Sequence, residues 1–514
     1  MAEIADRPED SIDYVTPEVR ELRQIAALPR ALFGSTRKMR EGRETWLPRA
    51  RTGAGSNRET DAEYEKRLDS AYLLDAFAET VKKSVGRVFH RPPSLTGSPP
   101  WMDRVKKNFD GGGSSYPLWS RDTLADAMVG GVNFAFGDKK PKPEGETTAE
   151  ALKRKPYAVR YPIEKVYGWQ MTTAEDGSSQ IGQIRFQESY PVTKGLYGVK
   201  RADQVRLIEP DHWETWREGV DGKWFKENEG PMDLGRVPVI PFFGMRTGPM
   251  SGITPLEGQC QMNLCHYQSS SAQRHILNVV RVPTLTLLGV SKDDAKSISL
   301  GIARAIRAGK DSVIKWLELD SGVSIEAGWK DLDRLERAMS ELGMDIRAPR
   351  QTGDVTAAAN WIGYESATST LDAIAMGFTE SFQALLDLFA EWEDASTAGT
   401  YALTTRDLLT SKRPEDLKHL RDMRQTGDLS QEGEWEELQR RQVLGEKFDA
   451  EREKERLAAE VGGQVFQGTW RAPVTGEGGE PAPGAAGGEG GEPTPGEPGP
   501  DQGGGAGDSG VEEG

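Results

Sequence analysis

Cysteine, histidine and long apolar runs are all scarce in this 514-residue chain, and each shortage excludes a class of protein. The two cysteines, Cys260 and Cys265, lie five residues apart on a predicted helix and point to different faces, so they cannot form a disulfide with each other. We therefore expect reduced thiols and a cytoplasmic compartment. No stretch approaches the roughly 18 apolar residues that indicate a membrane span. The acidic N-terminus, MAEIADRPEDSIDY, lacks the apolar core of a signal peptide.

The shortage of histidine also limits metal and catalytic chemistry. Five histidines are scattered along the chain without an H-E-x-x-H motif or a recognisable catalytic triad. Cys260, Cys265 and His266 suggest zinc, but a zinc site needs further ligands at closed spacing, and no second cluster follows. We therefore expect buried thiols and a histidine on a polar helix face. The sequence predicts no catalytic residue, no cofactor and no metal site.

A glycine and a lysine at Gly309 and Lys310 raise the question of a nucleotide site. A phosphate-binding loop of the G-x-x-x-x-G-K-[S/T] type needs closer glycines and a Ser or Thr after the lysine. Here Gly301 lies too far upstream and Asp311 follows the lysine. We therefore predict that the chain is not an ATPase.

Basic residues are fewer than acidic ones: the chain has 65 Lys and Arg and 81 Asp and Glu, which gives a net charge of −16. That balance argues against a protein that coats nucleic acid, which needs a basic face. It is compatible with an acidic surface that repels DNA and does not grip it. The carboxylates are those expected of solvated helix faces, so no general acid–base pair is assigned. Most tryptophans should lie in the core or at subunit contacts, among them Trp213, Trp216, Trp316 and Trp361.

What the chain does contain is a pair of long helices around a short excursion. Pro255 is placed to begin the first helix and Pro283 to end it. Its apolar stripe consists of Leu256, Cys260, Leu264, Tyr267, Ile276 and Val280. Its opposite, polar face consists of Gln259, Asn263, His266, Gln273 and Arg274. The second helix, over residues 330–343, has a stripe of Leu332, Leu335, Met339 and Leu342. Between the helices we predict strands near residues 284–288, 313–319 and 323–327, with residues 298–307 ambiguous between helix and strand.

The remaining periodicity separates helical and extended regions. Apolar spacing of three and four residues predicts helices over residues 17–32, 61–88, 118–129 and 364–392. Between residues 157 and 243 the period is two, which predicts an antiparallel sheet or small barrel with strands at 157–170, 180–192, 204–218 and 223–228. Residues 400–460 are helical and strongly charged. Beyond Arg471 only acidic charge remains, among dense Gly and Pro, which predicts disorder. The fold class is therefore α+β.

A loop rich in Gly, Pro and Thr separates two predicted helices at residues 345–361 and carries Arg347 and Arg350. Two interpretations stay open for these arginines. They are either exposed loop residues without a ligand or a loose contact with DNA phosphate, which carries no sequence information.

Several short motifs follow one another in a characteristic order. The central one is TPLEGQCQMNLCHYQSS, followed by Pro283, Leu285 and Gly289. Upstream are WLPR, the pair Tyr64 and Arg67, GRVFHRPP, KPYAVRYPIEKVYGW and VPVIPFFG; downstream are LERAMSELG and LSQEGEWEELQRRQVL. In this order, over about residues 40–460, they resemble the portal proteins of tailed bacteriophages, which are head–tail connectors, and especially a subgroup known only as a domain of unknown function.

The resemblance implies a portal-protein fold and a structural, non-enzymatic role. The implied segments are an N-terminal arm (1–45), a helix-rich wing with an antiparallel β unit (46–252), stem helix 1 (253–280), a small α/β clip (281–329), stem helix 2 (330–344), a channel loop (345–361), a wing return helix (362–399), crown helices (400–470) and a disordered acidic tail (471–514).

The same resemblance implies an assembly and its partners. The expected form is a ring, usually dodecameric, at the capsid vertex of a virion, assembled in the host cytoplasm. Double-stranded DNA would be packaged and ejected through it. The implied partners are the terminase large subunit, a head–tail adaptor, the major capsid protein or scaffold, and DNA bound without sequence specificity. No membrane is implied.

Packing of the two stem helices against neighbouring subunits predicts a ring interface at Leu256, Leu264, Leu335 and Met339. Two alternative functions stay open. One is a metal-dependent DNA-processing enzyme of a mobile element, which would need a metal-binding carboxylate cluster. The other is a different minor head or adaptor protein of the virion.

Overall fold

The computed structural model describes most of the chain. The described residues are 8–50, 59–140, 154–174, 176–219, 221–280, 284–288, 313–317, 322–343, 357–403, 414–441, 443–445 and 448–464. Contacts between residues divide the chain into two units, Met1–Gly445 and Glu446–Gly514. The second unit is described only as far as one charged helix, which begins at Ala450.

Helices and antiparallel sheets occur together, which confirms the α+β class. The helices are α1 (Pro17–Phe33), α2 (Ser35–Glu41), α3 (Asp61–Ser70), α4 (Ala76–Val88), α5 (Met102–Lys107), α6 (Tyr116–Gly130), α7 (Glu257–Val280), α8 (Gly322–Leu342), α9 (Ala357–Trp392), α10 (Pro414–Thr426), α11 (Gln431–Arg440) and α12 (Ala450–Gln464). None of the helices in the described ranges combines the length and the hydropathy of a membrane span.

The strands form one large sheet, one small sheet and three isolated pairs. They are β1 (Ser94–Thr96), β2 (Val132–Asp138), β3 (Tyr157–Pro162), β4 (Val166–Thr173), β5 (Ser179–Lys194), β6 (Gly198–Ile208), β7 (His212–Glu218), β8 (Trp224–Pro231), β9 (Val239–Phe243), β10 (Met245–Arg246), β11 (Gly252–Ile253), β12 (Thr284–Leu288), β13 (Val313–Leu317) and β14 (Thr400–Ala402). Strands β4 to β8 lie side by side in chain order, and the three-stranded sheet has the order β3-β2-β9.

Residues 157–243 are antiparallel sheet, as the period of two predicts, but two predicted strands are each divided in two. Pro162 ends β3 and is followed by a short 3-10 turn before β4, and Pro210 lies in the turn between β6 and β7. A proline has no amide hydrogen to donate to a strand ladder. Each proline therefore marks a break that the alternating pattern alone did not reveal.

Two apolar clusters stabilise the larger unit. One joins the helices around a group of aromatic rings, in which the ring centroid of Phe109 lies 5.4 Å from that of Phe382 and 5.2 Å from that of Phe389. The other lies between α1 and the sheets. Val19 and Leu32 of α1 are both fully buried, and they belong to different clusters. The segment predicted as an N-terminal arm is therefore packed into the body from α1 onwards.

The single helix predicted over residues 61–88 is wrong, because the structure has two helices, α3 and α4, with a break between them. In the break the amide of Leu73 donates to Thr36 Oγ1 at 3.0 Å, and Arg40 Nη2 donates to the carbonyl oxygen of Ala71 at 2.7 Å. Backbone groups that are satisfied by distant parts of the chain no longer need the helical ladder. Tertiary bonds thus interrupt a continuous apolar stripe.

The strand predicted at residues 323–327 is also wrong, because these residues form the first turns of α8. Val323 and Ile325 are β-branched and favoured a strand. In the fold, Gln273 of α7 donates to the carbonyl oxygen of Ile325, and Lys330 pairs with Glu326 one turn away. Helix α9 likewise begins at Ala357, inside the predicted loop 345–361. The strand predicted at 284–288 is confirmed, and the strand predicted at 313–319 is confirmed over its described residues, 313–317; the two form the antiparallel pair β12 and β13.

Candidate functional site on a helix pair

The long helices predicted around the central motif are α7 and α8, and they pack against each other as an antiparallel pair. They have 24 and 21 residues, which corresponds to lengths of about 36 and 32 Å. Gln259, early in α7, donates to the carbonyl oxygen of Met339, late in α8, at 3.1 Å. Gln273, late in α7, donates to that of Ile325, early in α8, at 2.9 Å. In the chain, the strand pair β12–β13 lies between the two helices.

Four of the five residues on the predicted polar face of α7 are buried, and only Arg274 is exposed, which differs from the predicted contrast between an apolar stripe and an opposite polar face. Gln259, Asn263, His266 and Gln273 are 2%, 0%, 3% and 5% exposed. Burying a polar side chain costs free energy unless it is hydrogen-bonded. Each of these four has a polar partner on another element. We call these four residues the polar seam.

Glycines of the second helix make room for the seam. A Cβ atom at Gly328 would lie 2.1 Å from Oε1 of Gln273, and one at Gly343 would lie 2.3 Å from Nε2 of Gln259. Both distances are shorter than any van der Waals contact allows. The glutamine amides therefore lie directly on the backbone of α8 and of the residue that follows it, which defines the register between the helices.

Asn263 connects α7 to α4. Its Oδ1 accepts from the amide of Phe77 at 3.2 Å, and its Nδ2 donates to the carbonyl oxygen of Leu74 at 2.9 Å. Phe77 lies in the first turn of α4, where amides have no partner within the helix. The side chain of Asp75 makes no capping bond there. Asn263 therefore caps α4 from a different helix.

Further along α7, two more side chains reach the N-terminal helices. Gln268 Nε2 donates to the carbonyl oxygen of Trp46 at 2.9 Å. The guanidinium of Arg274 lies 3.9 Å from the ring centroid of Tyr72 and donates to the carbonyl oxygen of Ser70. Helix α7 is thus attached to α8 on one side and to the N-terminal segments on another.

The four predicted interface residues divide into two groups. Leu256 and Met339 are 1% and 2% exposed, and contacts within the chain account for that burial. Their contact with a neighbouring subunit stays a prediction, although almost none of either side chain is exposed in the single chain. Leu264 and Leu335 are half-buried and stay a prediction. An apolar stripe does not distinguish burial inside a subunit from burial between subunits.

Three apolar side chains of the helix pair are exposed instead. Ile276, Trp329 and Leu342 are 41%, 50% and 48% exposed. Large exposed apolar side chains mark contact sites, and tryptophan is enriched among the residues that dominate binding. Sequence analysis placed Ile276 and Leu342 on the apolar stripes of the two helices and missed Trp329, because the predicted second helix began one residue after it. A helix beginning at residue 322 would have shown Trp329 as a helix-surface residue.

The expectation of buried thiols is confirmed for Cys260 and wrong for Cys265. Cys260 is buried and Cys265 is exposed, and both are free thiols. Burial raises the pKa of the Cys260 thiol far above its ordinary value, so that it stays protonated. Nε2 of His266 lies 3.3 Å from Glu336 of α8. These three residues are not among the groups of described side chains that lie close enough to share a metal ion.

One group of potential ligands does lie close together among the described residues. Ligand atoms of Glu209, Asp211 and His212, at the turn between β6 and β7, are all within 4.8 Å of one another. Nδ1 of His212 is 2.8 Å from Asp211, and Nε2 is 3.1 Å from Glu209. The hydrogen bond to Asp211, together with the nearby carboxylate charges, raises the pKa of His212. Contacts between the ring of His212 and the two carboxylates account for this arrangement.

The remaining predicted residues have different outcomes. Trp213 packs against the sheet cluster, and Nε1 of Trp216 donates to Glu214 at 2.8 Å. Arg347 and Arg350 lie outside the described residues, as do residues 298–307, the side chains of Trp316 and Trp361, and the acidic tail 471–514.

Comparison with known proteins adds one family and several solved structures. The model of a family described as a domain of unknown function, DUF4055, matches residues 255–393. That segment runs from just before α7 to just after α9, so it includes the helix pair. No curated protein matches the chain.

Three similar solved chains come from gene transfer agent (GTA) particles. A chain of the virion of the native particle is 12% identical, with a TM-score of 0.37; the match covers 68% of this chain and 85% of that chain. A chain from the neck of the native particle, computed with C12 symmetry, is 10% identical, with a TM-score of 0.37 and coverage of 72% and 89%. A chain from the neck of the empty particle, computed with C6 symmetry, is 10% identical, with a TM-score of 0.37 and coverage of 68% and 84%. Likeness at this level is too low for an argument about function.

Proposed function

We propose that this protein is a structural component of a tailed-phage-like particle and, more specifically, its portal protein. In that role it forms a ring at one capsid vertex, through which double-stranded DNA is packaged and ejected. The order of motifs over about residues 40–460 supports the proposal. The observation that carries it is the antiparallel pair of α7 and α8, with β12 and β13 between them in the chain.

The helix pair has the properties that a ring subunit needs. A closed ring of identical subunits is built from heterologous contacts, in which each subunit presents two different surfaces. The polar seam fastens one side of the pair within the chain, while Ile276, Trp329 and Leu342 remain exposed. A helix pair that is bonded to its own chain on one side and apolar on another can contact the next subunit of a ring without changing the contacts inside its own subunit.

The other segments take the roles that the resemblance to portal proteins implies for them. The helices and sheets before α7 form the wing, and β12–β13 belong to the clip, which would bind the terminase large subunit and then a head–tail adaptor. The loop with Arg347 and Arg350 would contact DNA phosphate loosely in the channel. The charged helices after residue 400 form the crown inside the head. In this role the protein has no enzymatic activity of its own.

Mass photometry and negative-stain images of the purified full chain test the proposal. We expect closed rings of one stoichiometry with a central hole, at the mass of about twelve subunits. Compact monomers that nick supercoiled DNA when a divalent metal is added would contradict it and favour a DNA-processing enzyme. Oligomers without a central hole would contradict the portal role and favour another head or adaptor protein.

Charge placed on the helix pair tests which surface closes the ring. Trp329→Asp and Leu335→Asp should abolish rings, because an unpaired carboxylate would be buried between subunits. Ser340→Asp, at an exposed position of the same helix, is the matched control and should assemble normally. Thermal unfolding of each variant must remain cooperative, so that loss of rings reports assembly and not folding. Normal ring yield in both variants would show that the interface lies elsewhere.

A further inference from the structure

Strands β5 and β6 extend beyond the rest of their sheet as a two-stranded ribbon. Pairing between β4 and β5 reaches no further than Phe186, and pairing between β6 and β7 begins at Gln204. From Ser189 opposite Asp203 to Lys194 opposite Gly198, six residue pairs have only each other as strand partners in the described chain. At about 3.4 Å per residue the ribbon projects roughly 20 Å. We call residues 189–203 the β ribbon.

The end of the β ribbon is apolar and exposed. Leu196, Tyr197 and Val199 are 91%, 97% and 68% exposed. The turn depends on Gly195, whose φ of +73° lies in the left-handed region. A lone two-stranded hairpin is marginally stable in water, and exposed apolar side chains of this size mark contact sites. The described part of the chain gives these three side chains no cover.

The base of the β ribbon, in contrast, is held firmly. Glu188 accepts from Tyr161 Oη, from Arg206 Nε at 2.7 Å and from Gln204 Nε2 at 2.7 Å. Burial alone would raise the pKa of Glu188, but the charge and hydrogen bonds of Arg206 and the bonds from Tyr161 and Gln204 outweigh it and lower the pKa. The carboxylate of Glu188 therefore joins β5 to β3 and β6 at the point where the ribbon begins.

The charge of the β ribbon is opposite to that of the chain. The ribbon contains three basic residues, Lys194, Lys200 and Arg201, and one acidic residue, Asp203, so its net charge is +2. The whole chain has a net charge of −16, so the residues outside the ribbon carry −18. Complementary potentials favour contact between the basic ribbon and an acidic surface of the same protein.

We propose that the β ribbon docks onto a second copy of this chain through its basic, apolar tip. The charge contrast favours this partner, and Leu196 and Val199 have no counterpart on a phosphate backbone, so DNA fits the tip less well. Pro191 in β5 hinders strand addition along the β5 edge of the ribbon. The proposed contact is made by side chains of the tip. This proposal rests on the proposed function only in that copies meet during ring assembly.

Photo-crosslinking from the tip tests the docking directly. Tyr197 is replaced by p-benzoylphenylalanine in the full chain, which is irradiated at a concentration where oligomers form. We expect a covalent adduct of two chains, in which the peptide containing residue 197 is joined to a peptide that carries an acidic surface of the other copy. Oligomers that form normally but yield no adduct between chains would overturn the proposal.

Charge reversal and polar substitution give an independent measurement. Lys200→Glu with Arg201→Glu, and separately Leu196→Ser with Tyr197→Ser, should raise the protein concentration needed for half-assembly at least tenfold, and added salt should reduce the effect of the charge variant. The matched controls are Lys223→Glu, in the β7–β8 turn, and Leu118→Ser, an exposed leucine of α6. Both controls should assemble like the wild type.

The outcomes separate this proposal from the proposed function. Normal rings in the ribbon variants would overturn the docking and leave the portal role standing. Crosslinked copies that never close into rings would support the docking and contradict the portal role. Loss of binding to labelled double-stranded DNA, with assembly unchanged, would overturn docking in favour of nucleic acid. A wild-type chain that stays monomeric would contradict both.

Discussion

The polar seam buries polar side chains, whereas the tip of the β ribbon exposes apolar ones. Both differ from the usual placement of side chains, in opposite ways. Asn263 of the seam is fully buried, whereas Tyr197 of the ribbon is 97% exposed. In the seam, directional hydrogen bonds to distant backbone groups determine how helices meet. In the ribbon, apolar side chains lack cover in the described chain. We infer that the seam contributes to the stability of the subunit and that the ribbon is available for contacts outside it.

The largest effect on stability should come from removing Asn263, which caps α4 from a different helix. Asn263→Leu keeps the side-chain size but leaves the amide of Phe77 buried without its partner. A lost hydrogen bond and an unsatisfied buried amide together should lower the free energy of unfolding by about 3 kcal/mol. Gln261→Met, at an exposed position of α7, is the matched control and should stay within about 0.5 kcal/mol of the wild type. Urea unfolding of the full chain measures both, and equal stabilities would contradict the role of the seam.

A second, smaller loss of stability should result from removing the charge of Glu188 at the base of the ribbon. Glu188→Gln removes the charge that pairs with Arg206 and should destabilise the protein by about 2 kcal/mol at pH 7. Because the folded-state pKa of Glu188 is lowered, its contribution is complete above the unfolded pKa of about 4.3 and is lost as pH falls through the folded pKa. The difference between variant and wild type should therefore narrow below about pH 4.

The control for this pH dependence is Glu229→Gln on β8. Glu229 pairs with Lys226 at the surface, where such pairs contribute little to stability. Thermal unfolding at several pH values should show no comparable gap for this variant. A gap for Glu188→Gln that stays constant down to pH 3 would show that charge is not what holds the ribbon base.

Much of the fold could be predicted from the sequence, because its main elements repeat with the period of a helix or strand. The stripe from Leu256 to Tyr267 predicted α7, and alternation predicted the antiparallel sheet. The burial of Asn263 could not be predicted, because its partners lie almost 190 residues earlier in the chain. A polar residue on a helix has the same local pattern whether it faces water or another backbone.

The candidate surfaces were harder to predict than the elements. Val323 and Ile325 favoured a strand, and that error hid Trp329 as a helix-surface residue. Leu196 and Tyr197 occur in a stretch that resembles any hairpin, and only the register shows that its neighbours stop short. Exposure depends on where other strands end, which local periodicity does not contain.

Close packing within the helix pair predicts a third, smaller effect. Gly328→Ala would displace the amide of Gln273 and break its bond to Ile325. The higher helix propensity of alanine offsets part of that cost, which leaves a net destabilisation of about 1 kcal/mol. Gly86→Ala in α4, where an added Cβ meets open space, is the matched control and should instead stabilise by about 0.5–1 kcal/mol. The same sign in both variants would show that the glycine at the helix contact is not required.

The smallest effect on stability should come from the most exposed residues. Leu196→Ser combined with Tyr197→Ser should change the free energy of unfolding of the dissociated subunit by less than about 0.5 kcal/mol, because neither side chain loses a contact within the described chain. Urea unfolding at a concentration below assembly measures this. If the variant were destabilised by as much as Asn263→Leu, the tip would be packed against its own chain, and the contrast between seam and ribbon would fail. A variant that unfolds like the wild type when dissociated, yet assembles poorly, would place the function of these side chains between subunits.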